Sequence, residues 1–254
     1  MERNPLVVVS SRIDTAAREA NARGSVTSDH SNIATAVRRA ESADIGCAIV
    51  DCHDDASEAA AREAGAYTVR TDLSEIPPTH NYKMPSGIAR VAHTVTRFDR
   101  HCNHDLIIHM PEHFADIDPR YLRALMYPLA SNEVAMATLV GPPSYDARVD
   151  APKVRVEWIE NRKVYVMPEA RVGTIQQFSR RADRLGSEDV FCHIPVYLYR
   201  RSALDRIVRE PPSDRELDEN IEAIRVLDLG LRVEALYVPD GPKDLVDDPT
   251  AAYD

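Results

Sequence analysis

The sequence predicts an α/β domain on a mostly parallel, Rossmann-like sheet, with a smaller β-rich portion at about 140–200. Three observations predict it. Short apolar runs recur at Leu6-Val7-Val8-Val9, Cys47-Ala48-Ile49-Val50 and Leu106-Ile107-Ile108-His109-Met110, which suits strands buried on both faces. Segments with helical periodicity separate them, and strands alternating with helices imply crossover connections. After about residue 140 the pattern changes to short alternating runs. The 254 residues fit one domain spanning 1–254 and are too few for two of full size.

Leu6 to Val9 opens the sheet. Ser31 to Ala43 follows as a helix, since Ile33, Ala36, Val37 and Ala40 share one side at i, i+3, i+4, i+7 spacing. Asp54 or Asp55 caps an Ala-rich helix that ends near Gly65. Tyr67-Thr68-Val69 is a third strand, and Ser86 to Arg97 is helical after Pro85. Asp118-Pro119 opens a helix to about Leu129, with proline at a favoured first-turn position. Lys153 to Trp158 and Lys163 to Met167 read as an antiparallel hairpin turning at Glu160-Asn161. The polar, Arg-rich stretch 173–187 reads as a loop. Val196 to Tyr199 is a strand, Ser213 to Leu227 one strong helix, and Val233 to Val238 the last strand. In sheets of this kind ligands bind at the carboxyl ends of the strands where chain order reverses. The residues after Val9, Val50 and Met110 are therefore the first places to look for chemistry.

Composition narrows the function classes. The net charge is −10 with no basic stripe, which argues against nucleic acid. No apolar run reaches 18 residues, and Met1 to Pro5 lacks the apolar region of a secretory leader, so a cytoplasmic chain is expected. Cys47, Cys52, Cys102 and Cys192 are scattered without paired zinc spacing and read as reduced thiols.

The last third is the most informative. Ser213, Glu216, Glu219, Glu222 and Arg225 recur every third residue, and Asp247 follows in Val-Asp-Asp-Pro. Upstream lie His193-Ile-Pro-Val-Tyr197-Leu-Tyr199, Ala151-Pro-Lys153-Val, Ala135-Met-Ala-Thr-Leu139, Ile117-Asp-Pro119 and Ser86-Gly87 with Arg90. Their order and spacing resemble the 3-deoxy-manno-octulosonate cytidylyltransferases across nearly the whole chain. The resemblance implies the nucleotide-diphospho-sugar transferase type of sheet and a homodimer formed through the β-rich portion. It also implies transfer of CMP from CTP to a small anionic acceptor, a 3-deoxy-sugar acid or a related acid or phosphonate. Mg²⁺ or another divalent cation would assist.

By the same resemblance, Arg12, Arg18 and Arg23 stand in the loop that cradles the triphosphate. Ser86, Gly87, Arg90, Lys153, His193, Tyr197, Glu216 and Glu219 stand in the substrate site, and Asp247 is a metal ligand. Besides lacking the arginine that the family pattern has after Tyr165, the chain departs from that pattern at two points. The loop's Pro-Gly-Lys is absent, with Arg23 beside Gly24 the nearest substitute, and the Asp behind the fourth strand is replaced by Glu112 or His113. Arginine forks still grip phosphate oxygens. Glu112 would suit Mg²⁺, whereas His113 would suit Mn²⁺ or Zn²⁺ or bind phosphate directly. On the residues alone, Asp247 equally fits a helix cap, and the glutamate row a solvated helix face. The two departures leave a second reading open: a catalytically degenerate paralogue that binds or regulates.

Overall fold

The computed structural model describes residues 4–12, 30–76, 86–142, 152–186 and 190–240. The first half runs β1 (Leu6–Ser10), α1 (Ser31–Ser42), β2 (Cys47–Cys52), α2 (Asp55–Glu63), β3 (Tyr67–Arg70), α3 (Gly87–Phe98), β4 (Leu106–Pro111) and α4 (Pro119–Ala124). The second half runs β5 (Val134–Gly141), β6 (Lys153–Trp158), β7 (Arg171–Ser179), β8 (Val190–Arg200), α5 (Arg201–Ile207), α6 (Asp214–Glu219), α7 (Ala223–Asp228) and β9 (Arg232–Tyr237). Short 3-10 turns at Glu112–Phe114, Pro128–Ala130 and Ala182–Arg184 link them.

The nine strands among the described residues form one sheet in the order β3-β2-β1-β4-β8-β5-β9-β7-β6, with β6 also meeting β8. The β1–β2, β2–β3, β1–β4 and β5–β9 pairs are parallel, and β8 runs antiparallel between β4 and β5. Strands β1 to β5 and β9 therefore share one direction, and the β-rich portion continues the same sheet. Alternation along β1 sorts its side chains: Val7 and Val9 enter the core with Ile33, Val37, Ile108 and Leu122. Leu6 and Val8 enter the opposite core with Ile88, Val91, Ile107 and Leu204. Burial on both faces is why these strands read as unbroken apolar runs.

Two stretches differ from the sequence reading. The partner of β6 is Arg171–Ser179, not Lys163 to Met167, and it also pairs with β9. Residues 163–167 form a turn instead. Val164 and Met167 turn inward, and Arg162 ties the turn down by bonding Glu234 and the Tyr127 and Pro128 carbonyls. Polar outward positions such as Gln176 conceal β7, although Val172, Ile175 and Phe178 are buried. Gly173 is required there, since a Cβ would lie 2.4 Å from Val156 Cγ1 and 2.7 Å from the Glu157 carbonyl oxygen.

The expected helix from Ser213 to Leu227 is two short helices, α6 and α7, broken at Asn220, whose φ is 50°. Its cause lies at the end of β7. Arg180 donates to the carbonyls of Glu219 (2.7 Å) and Asn220 (3.2 Å), the acceptors a continuous helix would use itself. The helix opened by Asp118-Pro119 likewise stops at Ala124, and the 3-10 turn at Pro128–Ala130 follows. No helix among the described residues is long and apolar enough to cross a membrane.

Candidate active site

Strand order reverses between β2 and β4 around β1, so the carboxyl ends of β1, β2 and β4 lie side by side. Such a reversal opens a crevice at the strand ends. Ser11 and Arg12 leave β1 there, His53 and Asp54 leave β2, and Glu112 and His113 leave β4. His30, the residue before α1, points into the same place.

Five of these groups are wired together. Ser11 Oγ and His53 Nδ1 share a hydrogen bond of 2.8 Å. His30 Nδ1 lies 3.3 Å from Glu112 Oε1, and His30 Nε2 lies 3.3 Å from Asp54 Oδ2. His53 Nε2 is 3.4 Å from that same Asp54 oxygen. The other oxygen, Asp54 Oδ1, accepts the Ser57 N–H at 2.7 Å and caps α2. Burial raises the Asp54 pKa, but the Ser57 bonds and the two imidazoles outweigh it and hold the carboxyl down at about 2. Burial lowers the His30 pKa, yet the Glu112 bond and the Glu112 and Asp54 charges raise it on balance. Burial and the Arg90 cation push His53 down to about 4, so it is neutral at pH 7.

The residues singled out from the sequence fall into several groups. Arg12 stands at the end of β1, and its charge, after the larger effect of desolvation, helps push the His113 pKa down to about 4. His113 is exposed as a residue and packs its ring 4.3 Å from that of Phe114. Glu112 is buried and faces His30. Arg18, Arg23 and Asp247 lie outside the described residues.

Ser86 caps α3 by accepting the Ala89 N–H. The Gly87 and Ile88 N–H groups donate to Glu222 at 2.7 and 2.8 Å, so a carboxylate of this chain already holds that helix end. Arg90 is fully buried, with its guanidinium 2.6 Å from Asp51 and bonded to the Ser11 carbonyl. It sits beneath the crevice and fixes the end of β1.

His193 is buried on β8, shares a bond with Thr138 Oγ1 at 3.1 Å and meets Phe178 edge-on. Half-buried Tyr197 lies between it and His109, with ring centroids 5.5 and 6.1 Å away. His109 in turn bonds Ser10 at the end of β1. Lys153 opens β6 opposite Ser179 and Cys192. Glu216 is buried against Arg225 Nε at 2.7 Å. Glu219 accepts from Ser179, the Arg180 N–H and Arg184. These two glutamates brace the broken helix.

His30 and His53 escaped the sequence reading. One signal was present: a His-Asp pair directly after a doubly buried strand, at an end where the sheet binds ligands. For His30 no local signal exists, because only the fold brings it to Glu112.

Mg²⁺ wants near-octahedral oxygen donors. The described groups at this place are two imidazoles and two carboxylates, and Glu112 is turned to His30. That set does not fit Mg²⁺.

Compared with solved structures, the chain matches CMP:2-keto-3-deoxy-manno-octonic acid synthetase complexed with CTP at a TM-score of 0.70 and 19% identity. The match covers 94% of this chain and 92% of that one. It matches an apo UDP-glucose pyrophosphorylase at 0.58 and 11% identity, over 93% and 91%. The fold is thus that of the nucleotide-diphospho-sugar type of nucleotidyltransferase. No protein-family model matches the chain. Among curated proteins it is 34% identical over 241 residues to the 3-deoxy-manno-octulosonate cytidylyltransferase of Rhodospirillum centenum, covering 94% of this chain and 88% of that one. It is 33% identical over 205 residues to that of Methylorubrum populi, covering 81% and 77%. The chain belongs to the 3-deoxy-manno-octulosonate cytidylyltransferase family.

Proposed function

We propose that this protein transfers CMP from CTP to a small anionic acceptor, a 3-deoxy-sugar acid or a related acid or phosphonate. An acceptor oxygen attacks the α-phosphorus, the new oxygen–phosphorus bond forms, and the bond to pyrophosphate breaks. The work is placement and neutralisation of charge. Arg12, with Arg18 and Arg23 of the same segment, grips the phosphates. Arg90, held by Asp51, positions the strand end that carries Arg12. The observation that carries the reading is family membership over most of the chain, joined to an arginine at the sheet's reversal point.

One observation favours the second reading, a paralogue that binds without turnover: Glu112, one of the two candidates for the place of the family's aspartate, is buried against His30. Pyrophosphate release separates the two. Purified protein is incubated with CTP, a divalent cation and a panel of sugar acids and phosphonates. Acceptor-dependent release with CTP, and little with UTP or GTP, is the expected result. CTP binding without release under every cation and acceptor would establish the binding protein instead. We also propose a homodimer through the β-rich portion. Tyr165 and Val166, 81% and 48% exposed, are apolar surface there for a second copy to cover.

A further inference from the structure

We infer that His30, His53 and Asp54 form a binding site for a borderline divalent transition ion such as Zn²⁺ or Co²⁺, at the carboxyl ends of β1 and β2. Their donor atoms all lie within 4.8 Å of one another. His30 Nε2 and His53 Nε2 stand 3.3 and 3.4 Å from one carboxylate oxygen, Asp54 Oδ2. Ligands about 2.0–2.1 Å from a tetrahedral ion stand about 3.3–3.4 Å apart, so these separations are the edges of such a site.

The surroundings of each donor point the same way. A metal-binding imidazole uses one nitrogen for the ion and gives the other to an orienting acceptor. Glu112 is that acceptor for His30 Nδ1, and Nε2, turned to Asp54, is the nitrogen that neutral imidazole offers to an ion. Ser11 Oγ holds His53 Nδ1 in the same way. Asp54 commits one oxygen to the α2 cap and turns the other to both imidazoles. His30 and Glu112 are both buried, which fixes their rotamers. Imidazole with a single carboxylate suits Zn²⁺ or Co²⁺ and not Mg²⁺. Three donors among the described residues leave a fourth position for water or a ligand oxygen. The site does not depend on cytidylyl transfer, because the ion binds without nucleotide.

The test is titration of the metal-free full chain with Co²⁺, read by visible absorption, alongside equilibrium dialysis with Zn²⁺. One equivalent of either ion binds, and equimolar Mg²⁺ does not displace it. His53→Ala and Asp54→Asn each weaken binding at least 100-fold; Asn still caps α2, so the second variant keeps its fold. Glu112→Gln weakens it about 10- to 100-fold. If His53→Ala fails to fold, His53→Gln replaces it. Absence of saturable Co²⁺ and Zn²⁺ binding, binding that survives Asp54→Asn, or displacement by equimolar Mg²⁺ overturns the assignment.

Discussion

The Arg90 guanidinium of α3 lies 2.6 Å from the Asp51 carboxylate of β2, and both side chains are wholly withdrawn from solvent. Thr71 and Thr94 also donate to that carboxylate, and Arg90 reaches on to the Ser11 carbonyl. One charge pair thereby joins β1, β2 and α3 under the crevice. Removing one partner of such a pair leaves the other charged and buried, which costs about 3–5 kcal/mol. Asp51→Asn is expected to lose that much in urea unfolding. A loss below about 1 kcal/mol would mean that Arg90 is held well enough without it.

Acid should weaken the fold through the depressed histidines, His53 and His113 at about 4 and two others lower still. Burial above all, with the Arg90 cation, pushes His109 down to about 3, and burial with the Arg180 cation pushes His193 down to about 3. Both are then neutral in the folded protein across a range where the unfolded chain binds a proton, from about pH 6.5 downward. Each contributes stability that is present above pH 6.5 and lost as pH falls toward 3. The slope approaches about 1.4 kcal/mol per pH unit for each histidine. Glu222 slopes the other way, since burial raises its pKa to about 7. The informative quantity is therefore the difference between wild type and His109→Gln or His193→Gln. Urea midpoints at pH 7 and pH 5 are expected to lie closer together in each variant than in wild type. Equal pH dependence would show that these imidazoles titrate normally.

Asn220 should tolerate replacement by glycine better than by alanine. Its φ of 50° strains most residues, while Gly adopts such values freely. Asn220→Ala is expected to lower stability by about 1 kcal/mol, and Asn220→Gly by less than about half of that. Thermal melts of the two variants check the order, and the reverse order would mean that the break is held wholly by Arg180.

Arg12 is the described member of the proposed phosphate-gripping set. Arg12→Ala is expected to lower kcat/KM for CTP by about 10²–10³-fold, the scale of losing one preorganised donor. Arg12→Lys recovers part of the loss, because a point charge still attracts phosphate without the fork. Wild-type kinetics in Arg12→Ala would remove this residue from the mechanism.

Much of this protein was settled by local pattern. Doubly buried strands appear as unbroken apolar runs, α1 as a 3.6-residue stripe, α3 as a helix after Pro85, and Asp54 or Asp55 as the cap of α2, since each depends on residues close in sequence. The carboxyl ends of β1, β2 and β4 were marked as the place for chemistry for the same reason. Pattern failed where distant partners overrule local preference. Ser179 and Arg180 break a helix that its own spacing would continue, and Gly173 with Arg162 moves a strand from 163–167 to 171–179. The meeting of His30 with Asp54 and Glu112 spans 24 and 82 residues of chain. No periodicity encodes it: it exists because strand order places β1 between β2 and β4, and only the folded sheet fixes that order.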